Sequence, residues 1–464
     1  MSPAGRFLAL VLLGLAAFFN ALGNPFVHDD VVFILKNPHI TDLNHWWQAF
    51  QVSTAAGGLN TYYRPLLEIF YRLEYRLFGP HPFGFHLVNV IIHIINGLLL
   101  LALLERLGLK KPVAWVVAAL FLVHPVQTEA VDCIAGISNL WMALGVLGAL
   151  HAYLERRHVL ALLCFVAACL GKEQALMFIP LAVAIDCYRG QRNVVAWFFY
   201  TAAAVVLLAL RHMVTGASLL KAVMASPGEF GLRLAAIARD ILMYVRLIVF
   251  PYDLHYYRNT DILQPDHQAW CLLGIAVLVI LFIYRRRPQA RGILVLGLGW
   301  FTAALLPVLN VVPLVNEYSF ILTPEHFLYL PMAGILILLV TTVDHFMKDF
   351  KKFLTGVVLA GCLLLTWHQN TFWSSEIALF ERMLTFEPDF GRGQLLLAKA
   401  YYFNGQPQMA QPHFQKAFAI MSAYAQKTTN ANAKRFYLRY LNEIAYYWSK
   451  NQCLMGKGRC DRKV

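Results

Sequence analysis

Two adjacent aspartates, Asp29 and Asp30, stand between apolar runs in Phe26-Val27-His28-Asp29-Asp30-Val31-Val32-Phe33-Ile34, directly after the first hydrophobic stretch of the chain. A carboxylate fixed at such a boundary is costly to charge and calls for a partner. It can also act as general base on a hydroxyl. A lone acid here would read as a solvated helix end. A pair flanked by apolar residues on both sides reads instead as chemistry done at a membrane surface.

Three further groups of polar residues could join that chemistry. His86, Asn89, His93 and Asn96 are spaced three, four and three, which puts them on one helical face. Such a stripe either bonds neighbouring helices or lines a site. Asn96 is the deepest and reads as structural, whereas His86 is nearest the surface and is the better site candidate. In His124-Pro125-Val126-Gln127-Thr128-Glu129-Ala130-Val131-Asp132, His124, Thr128 and Asp132 repeat every four residues with Glu129 beside them. A proline followed by polar groups at a helix end suggests cavity lining. A divalent ion is allowed there, but nothing fixes a ligand count. Lys172-Glu173 occupy a tight turn between two short apolar stretches, where an ammonium could meet a lipid phosphate as a point charge. Arg64, Arg246, Arg258 and His326 are further cationic candidates for a phosphate.

The elements that must hold these residues are membrane helices. The chain has 464 residues, 59% hydrophobic and 14% charged, with mean hydropathy +0.55. A soluble domain keeps about a quarter of its residues charged. Apolar stretches near 7–22, 85–105, 113–124, 138–154, 158–170, 174–187, 193–210, 268–284, 291–308, 327–344 and 353–368 predict an all-α polytopic membrane protein with about eleven transmembrane helices. The net charge of +13 is no sign of nucleic-acid binding, because the basic residues are dispersed between the stretches. Arg6, Lys110-Lys111, Arg156-Arg157, Arg189 and Arg192, Arg285-Arg286-Arg287 and Lys351-Lys352 all fall on one side, which the positive-inside rule makes the cytoplasm. The N-terminus is then inside and the C-terminus outside. The first stretch reads as a retained span, not a cleaved signal, since no small-residue cleavage site follows it. Residues 231–250 are apolar enough to span. A span there would flip every later loop, and Arg233, Arg239 and Arg246 interrupt it, so an interfacial or re-entrant helix is expected.

Long outer loops at 26–82 and 211–267, and a shorter one at 309–326 with Asn316-Glu317, carry most of the polar variety. They make the outer face the expected site. Of the eight cysteines, Cys453 and Cys460 lie in the tail, where an oxidising compartment would let them pair. After Trp367 the composition turns soluble. Leu397, Ala398, Tyr401, Gly405, Ala410, Phe414 and Ala417 match the spacing of a tetratricopeptide unit. The expected domains are therefore 1–368, in the membrane, and 369–464, a small helical repeat domain outside it. That repeat is either a folding cap or a dock for a protein acceptor.

Asp29-Asp30 with Asn37-Pro38, Trp46-Trp47 and Tyr63-Arg64-Pro65-Leu66 resembles the start of the transmembrane-and-tetratricopeptide-repeat (TMTC) O-mannosyltransferases. His86-Leu87-Val88-Asn89 with His93, His124-Pro125 with Thr128-Glu129-Ala130-Val131, Lys172-Glu173-Gln174, Pro251 with the tyrosines after it, and Glu325 with Leu328-Tyr329-Leu330-Pro331 continue the pattern in order. The resemblance implies a GT-C glycosyltransferase fold, a polyprenyl-phosphate sugar donor, inversion, and an acidic catalytic residue in the first outer loop. It carries that role to Asp29 or Asp30, with Asp29 the first choice as base. Arg64, Lys172, Arg246, Arg258 and His326 become candidates for the donor phosphate. His86, Asn89, His93, His124, Glu129, Glu173 and Glu325 become candidates for substrate binding. The family usually has arginine after the glutamate near the Leu-Tyr-Leu-Pro motif, where this chain has His326, whose charge depends on pH. The short repeat region suggests a bacterial inner-membrane relative with a periplasmic site; in a eukaryote the endoplasmic reticulum membrane is expected. The function expected is transfer of a sugar to a hydroxyl of an exported protein. The rivals are the same chemistry on a glycolipid or glycan, and a non-enzymatic transporter or scaffold. No internal repeat of the spans, as a transporter would carry, is visible.

Overall fold

The computed structural model describes residues 2–41, 44–51, 62–216, 227–258, 267–309, 323–347, 351–428 and 431–456. Asn316-Glu317 and Cys460 lie outside them, as does the side chain of Arg233. Every regular element among the described residues is helical. The chain divides into two units. The first takes Met1–Leu254, Leu263–Asn316 and Glu325–Thr371, and the second takes His255–Ile262, Glu317–Pro324 and Phe372–Val464.

The first unit contains α1 (Pro3–Phe18), α2 (Pro65–Phe78), α3 (Pro82–Arg106), α4 (Lys111–Val123), α5 (Thr128–Asp132), α6 (Ile137–Leu154), α7 (His158–Gly171), α8 (Phe178–Arg189), α9 (Val194–Thr215), α10 (Pro227–Val249), α11 (His267–Arg286), α12 (Arg291–Leu305), α13 (Met332–Phe346) and α14 (Lys351–Asn370). Proline opens α2, α3 and α4 within their first two positions, where its missing N–H costs nothing. Gly190 and Gly216 end α8 and α9 in the left-handed conformation.

All eleven apolar stretches fall on helices, but length and composition qualify fewer as spans. Six helical segments among the described residues are long and apolar enough to cross a membrane, and the pair α4–α5, bent by 50° at Pro125, would make a seventh. α7 and α13 are apolar but short. α8 has only 12 residues and holds Asp186 and Arg189 near its end. α14 begins at Lys351-Lys352 and ends in His368-Gln369-Asn370. α10 is a single amphipathic helix outside this set.

Lipid tails are as apolar as leucine, so close backbone approach rather than water exclusion drives helix pairing inside a bilayer. The crossing of α12 and α13 shows this. A Cβ on Gly297 would lie 2.8 Å from the Gly334 carbonyl oxygen, and one on Gly334 would lie 2.4 Å from the Gly297 carbonyl oxygen. Deeper in the unit, the α3 stripe joins its neighbours. His93 meets the Leu122 carbonyl at 3.1 Å and the Tyr329 hydroxyl at 2.7 Å, and Asn96 donates to the same hydroxyl at 3.1 Å and to the Leu140 carbonyl at 3.0 Å.

The second unit contains α15 (Glu376–Phe386), α16 (Gly391–Phe403), α17 (Pro407–Lys427) and α18 (Ala431–Leu454), each packed on the next. Leu397, Ala398, Tyr401, Ala410, Phe414 and Ala417 are all buried between these helices, and Gly405 turns the chain with φ +71°. Asn451 donates to the Pro407 carbonyl at 2.9 Å and fastens α18 to the start of α17. Cys453 is disulfide-bonded. The other six cysteines among the described residues are free.

Candidate active site

Asp30 is fully buried and both its oxygens accept hydrogen bonds. Oδ2 takes the Val27 N–H at 3.1 Å, and Oδ1 takes the Ala135 N–H at 2.7 Å and the Cys133 thiol at 3.5 Å. The first bond closes a tight turn at the exit of the first span, where the Asp30 N–H also returns to the Val27 carbonyl at 3.0 Å. The second ties that loop to the bend between α5 and α6. The bend is itself a built feature. Asn89 donates to the carbonyls of Val131, Cys133 and Ile134 at 3.1, 3.1 and 3.4 Å, and the Tyr71 hydroxyl donates to the Ala135 carbonyl at 3.2 Å. Gly136 leaves no room for a side chain, because a Cβ there would sit 2.5 Å from the Ala130 carbonyl oxygen. Gly136→Ala is therefore expected to cost about 1–3 kcal/mol through a forced backbone shift, read as a lower unfolding midpoint of the purified protein.

Burial drives the Asp30 pKa up from its ordinary 3.8 to about 7; the neighbouring Asp29 charge adds to the rise, and the Ala135 and Val27 N–H groups oppose it. Folded Asp30 thus holds its proton more tightly than the unfolded chain does. Its contribution to stability is complete below about pH 4 and is lost as pH rises through about 7. The change is on the order of 4 kcal/mol. Asp30→Asn is expected to flatten this part of the stability–pH curve, measured as unfolding midpoints between pH 4 and 8. Asp29, by contrast, is partly exposed, and its Oδ1 lies 3.5 Å from His28 Nε2.

A second cluster gathers cations. Arg64 grips Glu173 with two bonds, Nε to Oε2 at 3.0 Å and Nη2 to Oε1 at 2.6 Å. Burial alone would raise the Glu173 pKa, but Arg64 overrides it and draws it down to about 2. Lys172 is buried and its Nζ donates to Asn139 Oδ1 at 2.6 Å. Burial and the Arg64 charge bring it down to about 7, against the pull of Glu173 and Glu129. Arg211, buried at the end of α9, feels both Glu173 and Arg64. Glu129 accepts the His326 N–H at 2.9 Å and His326 Nδ1–H at 2.8 Å, and it also takes the Glu325 N–H. The Lys172 ammonium lies 5.9 Å from the Phe327 ring centre, next to His326. Arg64, Lys172, Arg211 and His326 are thus gathered around the carboxylates Glu173 and Glu129.

The acid pair and the cation cluster are linked. Tyr71 feels the charges of Asp30 and Arg64, and Cys133 lies within electrostatic reach of both aspartates and of Lys172. Other candidates go elsewhere. His86 Nε2 meets the Asn24 carbonyl at 3.1 Å. His124 donates from Nε2 to the Ile248 carbonyl at 2.9 Å and accepts the Val126 N–H at Nδ1, so both its nitrogens serve the fold. His93 is likewise bonded at both nitrogens. Arg246 has its fork on Asp253, at 2.9 and 2.7 Å. Arg258 falls in the second unit. Both oxygens of Asp132 are buried without a hydrogen-bond partner. Among the described residues no group of three or more His, Cys, Asp and Glu side chains is arranged to hold a metal ion. Sequence reasoning missed His28, Tyr71, Asn139 and Arg211. Only Arg211 left a signal, as a cation closing an apolar helix just before a long polar loop.

The helices and this buried polar site define a polytopic helical membrane protein whose acid pair and cation cluster lie within one unit. The chain is similar to protein O-mannosyl-transferase F38B6.6 of Caenorhabditis elegans, 26% identical over 447 residues, which cover 90% of this chain and 63% of that protein. It is also similar to protein O-mannosyl-transferase TMTC1 of Mus musculus, 37% identical over 160 residues (32% of this chain, 17% of that protein), and of Homo sapiens, 32% identical over 163 residues (33% and 18%). The chain thus spans less than two thirds of the length of these relatives. All three relatives are named protein O-mannosyl-transferases, and two of the names carry TMTC, the group that the sequence resembles. No family model and no solved structure matches.

Proposed function

We propose that this chain is an inverting GT-C glycosyltransferase that moves a sugar, mannose by analogy with the names of its relatives, from a polyprenyl-phosphate carrier to a hydroxyl of a polypeptide at the non-cytoplasmic membrane face. One observation carries the reading: an acid pair split into a bonded and a partly exposed member, with Tyr71 between Asp30 and the Glu173-held Arg64 and feeling the charge of both. Asp29 takes the proton of the acceptor hydroxyl as its oxygen attacks the anomeric carbon. The bond from that carbon to the phosphate oxygen breaks on the opposite side, and the electron pair leaves with the lipid phosphate. Lys172, Arg64 and Arg211 take up the charge that develops there. Asp30 holds the loop in place and does not touch the acceptor.

Reading α7, α8, α13 and α14 as further crossings would give the expected topology of about eleven. A disulfide at Cys453 suits a C-terminal unit outside the cytoplasm. That unit, read as tetratricopeptide-like, would present acceptor to the site. Mass spectrometry of exported proteins and glycolipids from cells with and without the chain tests the reading. Loss of an O-linked hexose from proteins is the expected result. Loss confined to glycolipids would move the acceptor to that class, and unchanged glycans in both would overturn the function.

A further inference from the structure

His28 has φ +46°, a left-handed backbone that among the described residues only two other non-glycine positions share. Such a conformation is strained for a side chain of this size and persists when the surroundings over-determine it. Here they do. The Val27–Asp30 turn is closed at both ends, by the Val27 N–H on Asp30 Oδ2 and by the Asp30 N–H on the Val27 carbonyl, and the Val32 N–H returns to the His28 carbonyl at 3.4 Å. His28 sits inside that closed turn. The turn brings imidazole Nε2 to 3.5 Å from Asp29 Oδ1 and leaves only 14% of the ring exposed. Strain of this kind collects where a fold spends stability on geometry.

We propose that His28 is a positioning residue for Asp29. The left-handed turn, locked by Asp30, presses the imidazole against the Asp29 carboxylate and fixes the orientation in which that carboxylate meets the acceptor hydroxyl. This rests on the function proposed above. It gives the acid pair a third member, and it explains why a buried Asp30 is spent on backbone N–H groups: it holds the strain that aims its neighbour.

The test compares wild type, His28→Gly and His28→Asn as full-length protein in lipid vesicles. Glycine adopts the left-handed region freely, so His28→Gly removes the imidazole and the strain together. Its unfolding midpoint is expected to equal or exceed wild type, while kcat falls roughly 10- to 100-fold and the KM for the lipid donor is unchanged. Asparagine tolerates the same region and offers an amide hydrogen bond, so His28→Asn should recover part of kcat. A His28→Gly protein with wild-type kcat, or one whose loss of kcat follows a matching loss of stability, overturns the proposal. A second readout is independent of turnover: carbodiimide modification of Asp29, followed by peptide mass spectrometry, should run several-fold faster in His28→Gly. Equal rates overturn the positioning role even if sugar transfer is intact. Faster modification in His28→Gly, found while the wild-type protein transfers no sugar, would instead remove the proposed function and leave the contact standing.

Discussion

Asp29→Asn should leave the protein inserted and folded and lower sugar transfer by about 10²- to 10⁴-fold, the range that general-base removal produces. Asp29 is partly exposed, 3.5 Å from His28, and an amide keeps the size and shape of its side chain. Asp30→Asn differs in kind. An asparagine offers one acceptor oxygen where Val27 and Ala135 both require one, so an NH₂ group would face an N–H. Its loss of activity should come with a loss of stability, whereas that of Asp29→Asn should not. Parallel unfolding midpoints and initial transfer rates separate the two. Equal stability and equal residual activity in both variants would contradict the division of roles.

Arg64→Met should destabilise the protein by about 3–5 kcal/mol, the usual cost of removing one partner from a buried ion pair. Glu173 is 9% exposed at its side chain and would be left charged in a poor solvent. Arg64→Met combined with Glu173→Gln removes both charges and should regain much of that stability. If Arg64 also meets the donor phosphate, the double variant will fold yet need a higher donor concentration for half-maximal rate. A double variant with wild-type donor KM would confine Arg64 to the fold. Chemical unfolding of both variants, and donor titration of the double variant, provide the measurements.

How much of this was legible in the sequence depends on how far each residue's partner lies along the chain. Lys172-Glu173 was readable because two short apolar stretches flank it, so a buried charged turn was nearly forced. The spacing of His86, Asn89, His93 and Asn96 gave the shared face, but not the role. Asn89 holds the bend at 131–134, and His93 holds Tyr329, whose ring comes from a segment 236 residues on. The difference between Asp29 and Asp30 could not be read at all, since it rests on an N–H from Ala135, 105 residues away. Arg246 and Arg258 looked equal to Arg64 in sequence. Arg246, in the last turn of α10, is engaged by Asp253 seven residues on, and Arg258 belongs to the other unit. The helices themselves were legible from hydropathy, while their status as spans was not, because helices such as α8 and α14 end in polar residues whose burial only packing decides.

The central claim is that a sugar leaves a lipid phosphate for a polypeptide hydroxyl with Asp29 as base. Its most direct test is transfer by the purified full-length protein in vesicles, from radiolabelled mannosyl-phosphoryl-polyprenol to total exported polypeptide isolated from cells lacking the chain. Label in O-linked hexose with wild type and loss of that label with Asp29→Asn is the result expected. Equal label with both proteins, or none in any polypeptide fraction with either, would contradict the account.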